Sequence, residues 1–285
     1  MDASWRQRGG AQVPGPVGDG ARLLVAGDTH GNLDWIGTLC KLAARHGCQG
    51  VIQLGDFGLW PDQRIWRNEL RAVINDRWLD AVAGVAAHHN VWWRFIDGNH
   101  DAHPIARDVY PADANGVRPI RAGVLDWADR GAVWEWAGIR FGALGGGVSI
   151  DREFRKEGRS WWPTEIITDD DVNTLIDRAG AASVDVLLTH DAPQLPPGIR
   201  ELADPRLAAA CRRSNEQIAA AVDSVQPQLV LHGHYHRDYQ RRIYRTWGDY
   251  QIIGLSSDQE SADPYGGPWA IIELPSLKVL QRHEL

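Results

Sequence analysis

Leu23-Leu24-Val25-Ala26-Gly27-Asp28-Thr29-His30-Gly31-Asn32 is the stretch on which the fold turns. The apolar run over residues 22–26 reads as a short buried strand. It stops at a glycine followed by Asp28 and His30, two side chains able to grip a cation. An apolar-periodic helix is expected next, over residues 33–46. The same grammar recurs twice: residues 51–54 close on Gly55-Asp56, and residues 91–96 close on Asp97-Gly98-Asn99-His100. Between them the spacing of Trp66, Leu70, Val73, Ile74 and Trp78 predicts a long helix over about residues 63–87. Strand–helix–strand–helix–strand implies a parallel α/β sheet that gathers its functional groups at the strand C-termini.

The second half changes character. Residues 133–136 and 139–144 flank Ala137-Gly138 and predict a hairpin. Gly145-Gly146-Gly147 opens a polar segment to about residue 168, and Asp169-Asp170-Asp171 marks a helix start. Residues 184–188 read as a buried strand ending on Thr189-His190-Asp191. A proline-rich connection, 193–205, is either a lid or a plain link, and a helix is expected over 207–225. Residues 229–231 form the strand before His232-Gly233-His234-Tyr235-His236. Short strands near 239–244, 250–255, 269–274 and 277–281 look antiparallel. Two mixed sheets with helices outside satisfy this order. Residues 1–20, rich in Gly, Pro and Ala, are expected to be a disordered arm, and residues 21–285 a single domain.

Composition narrows the function classes. Thirty Lys and Arg stand against 37 Asp and Glu, a formal charge of -7, which argues against general nucleic-acid or anionic-membrane binding and against a DNA nuclease. Three cysteines without a C-x-x-C pair indicate neither a disulfide framework nor a zinc ribbon. No apolar stretch reaches the roughly 18–20 residues of a membrane span, and the N-terminus lacks an apolar signal region, so a cytoplasmic protein is expected. The chain also holds 14 tryptophans against 4 phenylalanines and 6 tyrosines, and most are expected in the core.

Taken together, the strand-end fragments supply Asp28, His30, Asp56, Asn99, His190, His234 and His236 as ligands. Two carboxylates, one amide and four imidazoles suit two divalent cations sharing a carboxylate. Asp28 and His30, one residue apart, fall on the same side of an extended chain, and Asp56 could bridge two ions with its two oxygens. The other histidines read differently: His46, His88, His89 and His283 as solvated, His103 as a packing residue and His232 as buried and hydrogen-bonded.

The order D-x-H, G-D, G-N-H-[DE], H, G-H-x-H resembles the calcineurin-like metallophosphoesterase superfamily over residues 24–240, with no ligand missing. The resemblance implies a four-layer α/β/β/α sandwich and two divalent cations, manganese foremost, with Fe, Zn or Ni as alternatives. It assigns Asp28, His30, Asp56 and His236 to one metal, and Asp56, Asn99, His190 and His234 to the other. It also implies attack by a metal-bridging hydroxide with His100 as general acid. One departure matters. Protein phosphatases of this superfamily carry Asp and Arg shortly after the second motif, whereas Leu59 stands in the place of that Asp. Asp62 or Asp101 is left as a partner for His100.

A narrower resemblance, to certain bacterial and phage metallophosphoesterases, rests on Leu144-Gly145-Gly146-Gly147-Val148-Ser149-Ile150-Asp151, Arg155 and Ser160-Trp161-Trp162-Pro163 with Glu165. It suggests a substrate wall in which Arg155 meets a phosphate oxygen and Trp161 or Trp162 meets a base or sugar. The competing reading is a loop pinned to the core by two tryptophans. The function expected from the sequence is hydrolysis of a small phosphoester, a phosphodiester such as a cyclic nucleotide in first place. Phosphomonoesterase or protein phosphatase activity, or a non-catalytic metal-binding scaffold, are the alternatives.

Overall fold

The computed structural model describes residues 9–18, 20–66, 69–258 and 269–282. In chain order the elements are β1 (Ala21–Ala26), α1 (Leu33–Arg45), β2 (Cys48–Gln53), β3 (Pro61–Trp66), β4 (Glu69–Ile74), α2 (Asp76–His88), β5 (Trp92–Phe95) and α3 (His103–Val109). There follow β6 (Val117–Arg121), β7 (Leu125–Ala128), β8 (Val133–Trp136), β9 (Ile139–Leu144), α4 (Asp169–Ala179), β10 (Val186–Thr189) and α5 (Pro205–Val225). The chain closes with β11 (Leu229–His232), β12 (Tyr239–Arg245), β13 (Gly248–Gly254), β14 (Trp269–Leu274) and β15 (Lys278–Arg282).

Among the described residues the strands form a seven-stranded sheet, β15-β14-β1-β2-β5-β7-β6, and a six-stranded sheet, β12-β13-β11-β10-β9-β8. β1, β2 and β5 run parallel in the first, and β9, β10, β11 and β13 in the second. Both sheets are mixed, as expected, because antiparallel strands close their edges.

Strand alternation divides the core into three apolar layers. Leu24, Val51, Trp93 and Phe95 face α1 and α2. Leu23, Val25, Ile52 and Trp92 face the other way, against Phe141, Val186, Leu231 and Ile253 of the second sheet. Leu187, Val230 and Ile252 then pack on Val172 and Leu175 of α4 and Ile218 and Val222 of α5. The adjacent tryptophans Trp92 and Trp93 thus enter two different layers, as their position on one strand requires. The unpaired Cys40 and Cys48 are buried in the first.

Two expectations need correction. Residues 61–74 form the hairpin β3–β4 instead of the opening of a long helix. Asn75 stops any backward extension of α2, since its side chain accepts from Trp78 N at 3.3 Å and Asp76 occupies the first turn. The periodic apolar residues include Val73 and Ile74, whose branched side chains suit strands as well.

Residues 9–18, expected to belong to a disordered arm, lie along the first sheet. Val13 is buried and its N–H donates to Asp126 Oδ2 at 2.9 Å, Gly123 N donates to Ala11 O at 2.7 Å, and Arg94 donates to Gln12 Oε1 at 3.1 Å. Backbone groups supply most of this attachment, and composition does not register them. Residues 1–8 and His283 lie outside the described residues.

Candidate metal centre

The ligand-bearing residues all follow parallel strands. Asp28 and His30 come after β1, Asp56 after β2, Asn99 and His100 after β5, His190 after β10, and His234 and His236 after β11. Both sheets therefore deliver their strand ends to one edge. Backbone hydrogen bonds tie these ends together: His30 N donates to Asp56 O at 2.8 Å and Gly31 N to Phe57 O at 3.1 Å. His100 N donates to Asp56 Oδ1 at 2.7 Å, and His234 N to Asp28 Oδ1 at 3.1 Å.

Four of the ligand candidates hold left-handed backbone conformations: His30 at φ 42°, Asp56 at 51°, His234 at 68° and His236 at 50°. Such values cost non-glycine residues energy and persist where the surroundings enforce them. The neighbouring glycines have a steric reason. A Cβ on Gly98 would lie 2.1 Å from Asp56 Oδ1, and one on Gly233 2.2 Å from Asp28 Oδ1.

Three overlapping groups have ligand atoms within 4.8 Å of one another: Asp28 with His30 and His236, Asp28 with Asp56 and His190, and His30 with Asp56 and His100. His236 Nε2 is 3.1 Å from Asp28 Oδ2 and His30 Nε2 is 3.6 Å from Asp56 Oδ2. His190 Nε2 lies 3.0 Å from Asn99 Oδ1 and 3.5 Å from Asp56 Oδ2. His234 contributes its backbone N–H to Asp28, and its ring sits 4.9 Å from that of His190. All seven residues predicted as ligands are thus brought to one place.

The chemistry of this donor set fits cations. His190 Nδ1 donates to Leu54 O at 2.7 Å, which turns Nε2 toward the site. Asn99 Nδ2 donates to Ser149 Oγ at 3.0 Å, which turns the amide oxygen inward. Nε2, the amide oxygen and the Asp56 carboxylate then converge as acceptors, and only positive charge among them resolves the conflict. Proton affinities report the same demand. Burial opposes protonation of His190, yet Asp56 and Asp28 outweigh it and push it up to about 10. Burial likewise opposes protonation of His30, and Asp56 with Asp28 pushes it up to about 9. Despite complete burial, His190 and its neighbouring imidazoles hold Asp56 well below the usual carboxylate range.

His100 borders this cluster, with Nε2 3.9 Å from Asp56 Oδ2. Its ring nitrogens meet the guanidinium of Arg155, which Asp151 holds through a 2.8 Å bond to Nε. Arg155 therefore stands at the site, as the sequence suggested. The Asp101 carboxylate turns to backbone amides. It is buried and accepts from Phe57 N at 3.1 Å, Gly58 N at 3.0 Å, Leu59 N at 2.8 Å and Gly98 N at 2.9 Å, pinning the loop after Asp56. Burial and the Asp56 carboxylate push Asp101 up to about 7, against the pull of those amides.

The tryptophan pair divides. Trp162 is buried and packs 6.5 Å from the His103 ring, so it is an anchor and not a substrate wall. Trp161 is half-buried with Arg152 5.1 Å above its ring, and it lines neither of the two cavities, of about 480 and 360 Å³, that border His100. His103 donates or accepts at Thr164 Oγ1, 2.9 Å away, and His232 meets Tyr239 OH at 2.7 Å, so both are hydrogen-bonded interior residues as expected.

Several contributors escaped the sequence reading. Asp258 lies 3.3 Å from His30 Nδ1 and accepts from Asn32 Nδ2 at 2.7 Å. It too follows a strand, β13, but carries no flanking glycine to mark it. Glu165 accepts from Ser149 N at 2.8 Å and Ser149 Oγ at 2.7 Å, and so supports Asn99 from behind. A cavity of about 480 Å³ opens on Asp56, Asn99, His234 and His236, and its walls come partly from the 193–204 connection.

The model of the calcineurin-like phosphoesterase family matches residues 21–238. No curated protein matches the chain by sequence. Among solved structures, TT1561 of Thermus thermophilus is similar with TM-score 0.53 and 14% identity, covering 91% of this chain and 97% of that one. GAP50, described as the anchor in the inner membrane complex of Plasmodium, gives TM-score 0.50 at 10% identity over 94% and 89% of the two chains. A dimetal phosphatase from Danio rerio gives TM-score 0.49 at 14% identity over 90% and 93%.

Proposed function

Because the chain belongs to the calcineurin-like phosphoesterase family, we propose that it hydrolyses a phosphodiester, a cyclic nucleotide being one such, with two divalent cations. The observation that carries this reading is the convergence of Asp28, His30, Asp56, Asn99, His190 and His236 as acceptors on one cation-demanding point. Asp28, His30, Asp56 and His236 would hold one ion, and Asp56, Asn99, His190 and His234 the other, manganese being the first choice. When bound, such a pair neutralises charge on the phosphoryl group and lowers the pKa of a water.

The chain's own residues would do the rest. His100 lines the cavity beside Asp56 and would give a proton to the leaving oxygen. Arg155, braced by Asp151, would hold a phosphate oxygen through its planar donors. The diester preference is supported by Leu59, buried where protein phosphatases carry Asp, and by cavities of about 480 and 360 Å³ that both reach His100. Two such spaces leave room for an ester arm on each side. No helix among the described residues is long and apolar enough to cross a membrane. Three free cysteines support placing the protein in the cytosol, with residues 21–285 as one domain.

The test combines elemental analysis with turnover on one sample. Bis-4-nitrophenyl phosphate, 4-nitrophenyl phosphate, 2′,3′- and 3′,5′-cyclic nucleotides and a phosphopeptide are assayed with Mn²⁺. Faster turnover of the diesters is expected. A phosphopeptide far ahead of them reverses the ranking. Two bound ions with no hydrolysis at all favour the scaffold reading.

A further inference from the structure

The cavity of about 480 Å³ beside the candidate metal centre is lined by two unlike sets of residues. Asp56, Asn99, His234 and His236 form one. The other is apolar: Val148 and Ile150 follow β9, Leu195, Ile199 and Leu202 lie in the 193–204 connection, and Cys211 comes from α5. Leu195, Ile199 and Leu202 are only half-buried where they line this cavity. Cys211 adds no charge, because burial and Asp191 push its thiol up to about 11. At the mouth, Arg212 pairs with Glu201 across the connection, and Arg200 is the further charged residue of that rim.

This wall is built, not incidental. The connection carries its own turn, with Ile199 N donating to Pro196 O at 3.2 Å, and ends in Asp204, which caps α5 at Arg206 N and Leu207 N. Behind it, Asn215 of α5 donates to Asp191 Oδ1 at 3.2 Å and to Tyr235 OH at 3.0 Å. Asp191 follows His190 and Tyr235 separates His234 from His236, so the apolar wall is fixed to the ligand-bearing turns. Across His100 the smaller cavity differs: Trp60, Asp151, Arg155 and Arg159 make it polar and basic. An uncharged arm and a charged arm would therefore part at the phosphorus.

We propose that the larger cavity is an ester-arm pocket, so that the substrate is a phosphoester with one uncharged, apolar or aromatic arm, and that residues 195–202 with Cys211 select that arm. Apolar walls with a few convergent polar groups at one end are the usual form of a small-molecule site. The inference rests on the phosphoesterase reading and places the arm against Leu195 and Ile199 instead of the Trp161-Trp162 loop.

The full-length, Mn²⁺-loaded protein is titrated calorimetrically with methyl-, phenyl- and octylphosphonate. Separately, turnover is measured for 4-nitrophenyl diesters whose second arm is methyl, phenyl or thymidine 5′. The leaving group is constant, so differences report the arm. Phenylphosphonate is expected to bind at least ~10-fold more tightly than methylphosphonate, with a similar ratio in kcat/KM for the diesters. Ile199→Asp and Cys211→Trp, each checked for two bound Mn²⁺, are expected to bring both ratios close to one. Phenylphosphonate ahead of octylphosphonate, or the reverse, both support the pocket and name its arm. Equal affinity for all three phosphonates overturns it, as do variants that alter the methyl and phenyl compounds in parallel. Discrimination among phosphonates without hydrolysis of any diester keeps the pocket and overturns the esterase reading.

Discussion

Asp258→Asn isolates the orientation of one metal ligand from the ligand itself. The Asp258 carboxylate serves two donors, His30 Nδ1 at 3.3 Å and Asn32 Nδ2 at 2.7 Å. Where Nδ1 donates to Asp258, Nε2 is left to face Asp56 and a cation. An asparagine at 258 offers one oxygen to those two donors, so one hydrogen bond is lost whichever way the amide turns. The shorter bond to Asn32 is the one the amide keeps, and His30 then faces an NH₂ group and rotates or changes tautomer. Outer partners of metal-bound histidines contribute about 10–100-fold in affinity. The 3.3 Å separation is longer than a typical N–H···O bond, which puts the expected loss near the lower end, about tenfold, or ~1.4 kcal/mol. Competition with a chelator, monitored by elemental analysis after equilibration, measures it. The first ion lost should be the one shared by Asp28, His30 and His236. Mn²⁺ affinity within about twofold of wild type would refute the argument, because outer-partner losses start near tenfold.

Three further outcomes follow from the same coordinates. His100→Asn is expected to keep two ions and lose roughly 10²–10⁴ in kcat, the range for general acid catalysis; unchanged turnover in a stopped assay would remove the residue from that role. Asp101→Ala leaves four buried backbone N–H groups without their acceptor, so urea unfolding should show a loss of at least ~3 kcal/mol at about 1–3 kcal/mol per orphaned donor, and a loss below ~1 kcal/mol contradicts the anchoring role. Trp162→Ala should cost about 3–5 kcal/mol of stability with KM unmoved once the protein is folded; a raised KM with unchanged stability would return Trp162 to the substrate wall.

How much of this was legible depended on how local each signal is. Gly27-Asp28, Gly55-Asp56 and Gly98-Asn99 could be read because a strand, its stop and its ligand occupy adjacent positions. His232 and His103, read as interior residues, are buried and hydrogen-bonded. The hairpin over residues 61–74 did not yield, since apolar residues three and four apart can serve a helix or two short strands, and only the Asn75 cap decides. Asp101 looked catalytic because it adjoins His100, but its carboxylate turns to amides some 40 residues earlier in the chain, as at Leu59. Asp258 pairs with His30 across 228 positions, and no local pattern announces such a partner.

The apolar cavity was the least legible feature, and the reason bears on how the molecule can change. Its wall takes single side chains from the segment after β9, the 193–204 connection and α5, which stand far apart in the sequence. The ligands hang on parallel strand ends, where one shifted residue would displace hydrogen bonds such as His30 N to Asp56 O and His100 N to Asp56 Oδ1. The wall hangs on Asp191 and Tyr235 through Asn215, and its apolar contacts are tolerant of exchange. Substitutions at Leu195, Ile199 or Cys211 should therefore move the choice of ester arm while the ion pair stays in place, whereas substitutions at the strand ends should remove both. On this proposal chemistry and selectivity would share one cavity but rest on different parts of the fold.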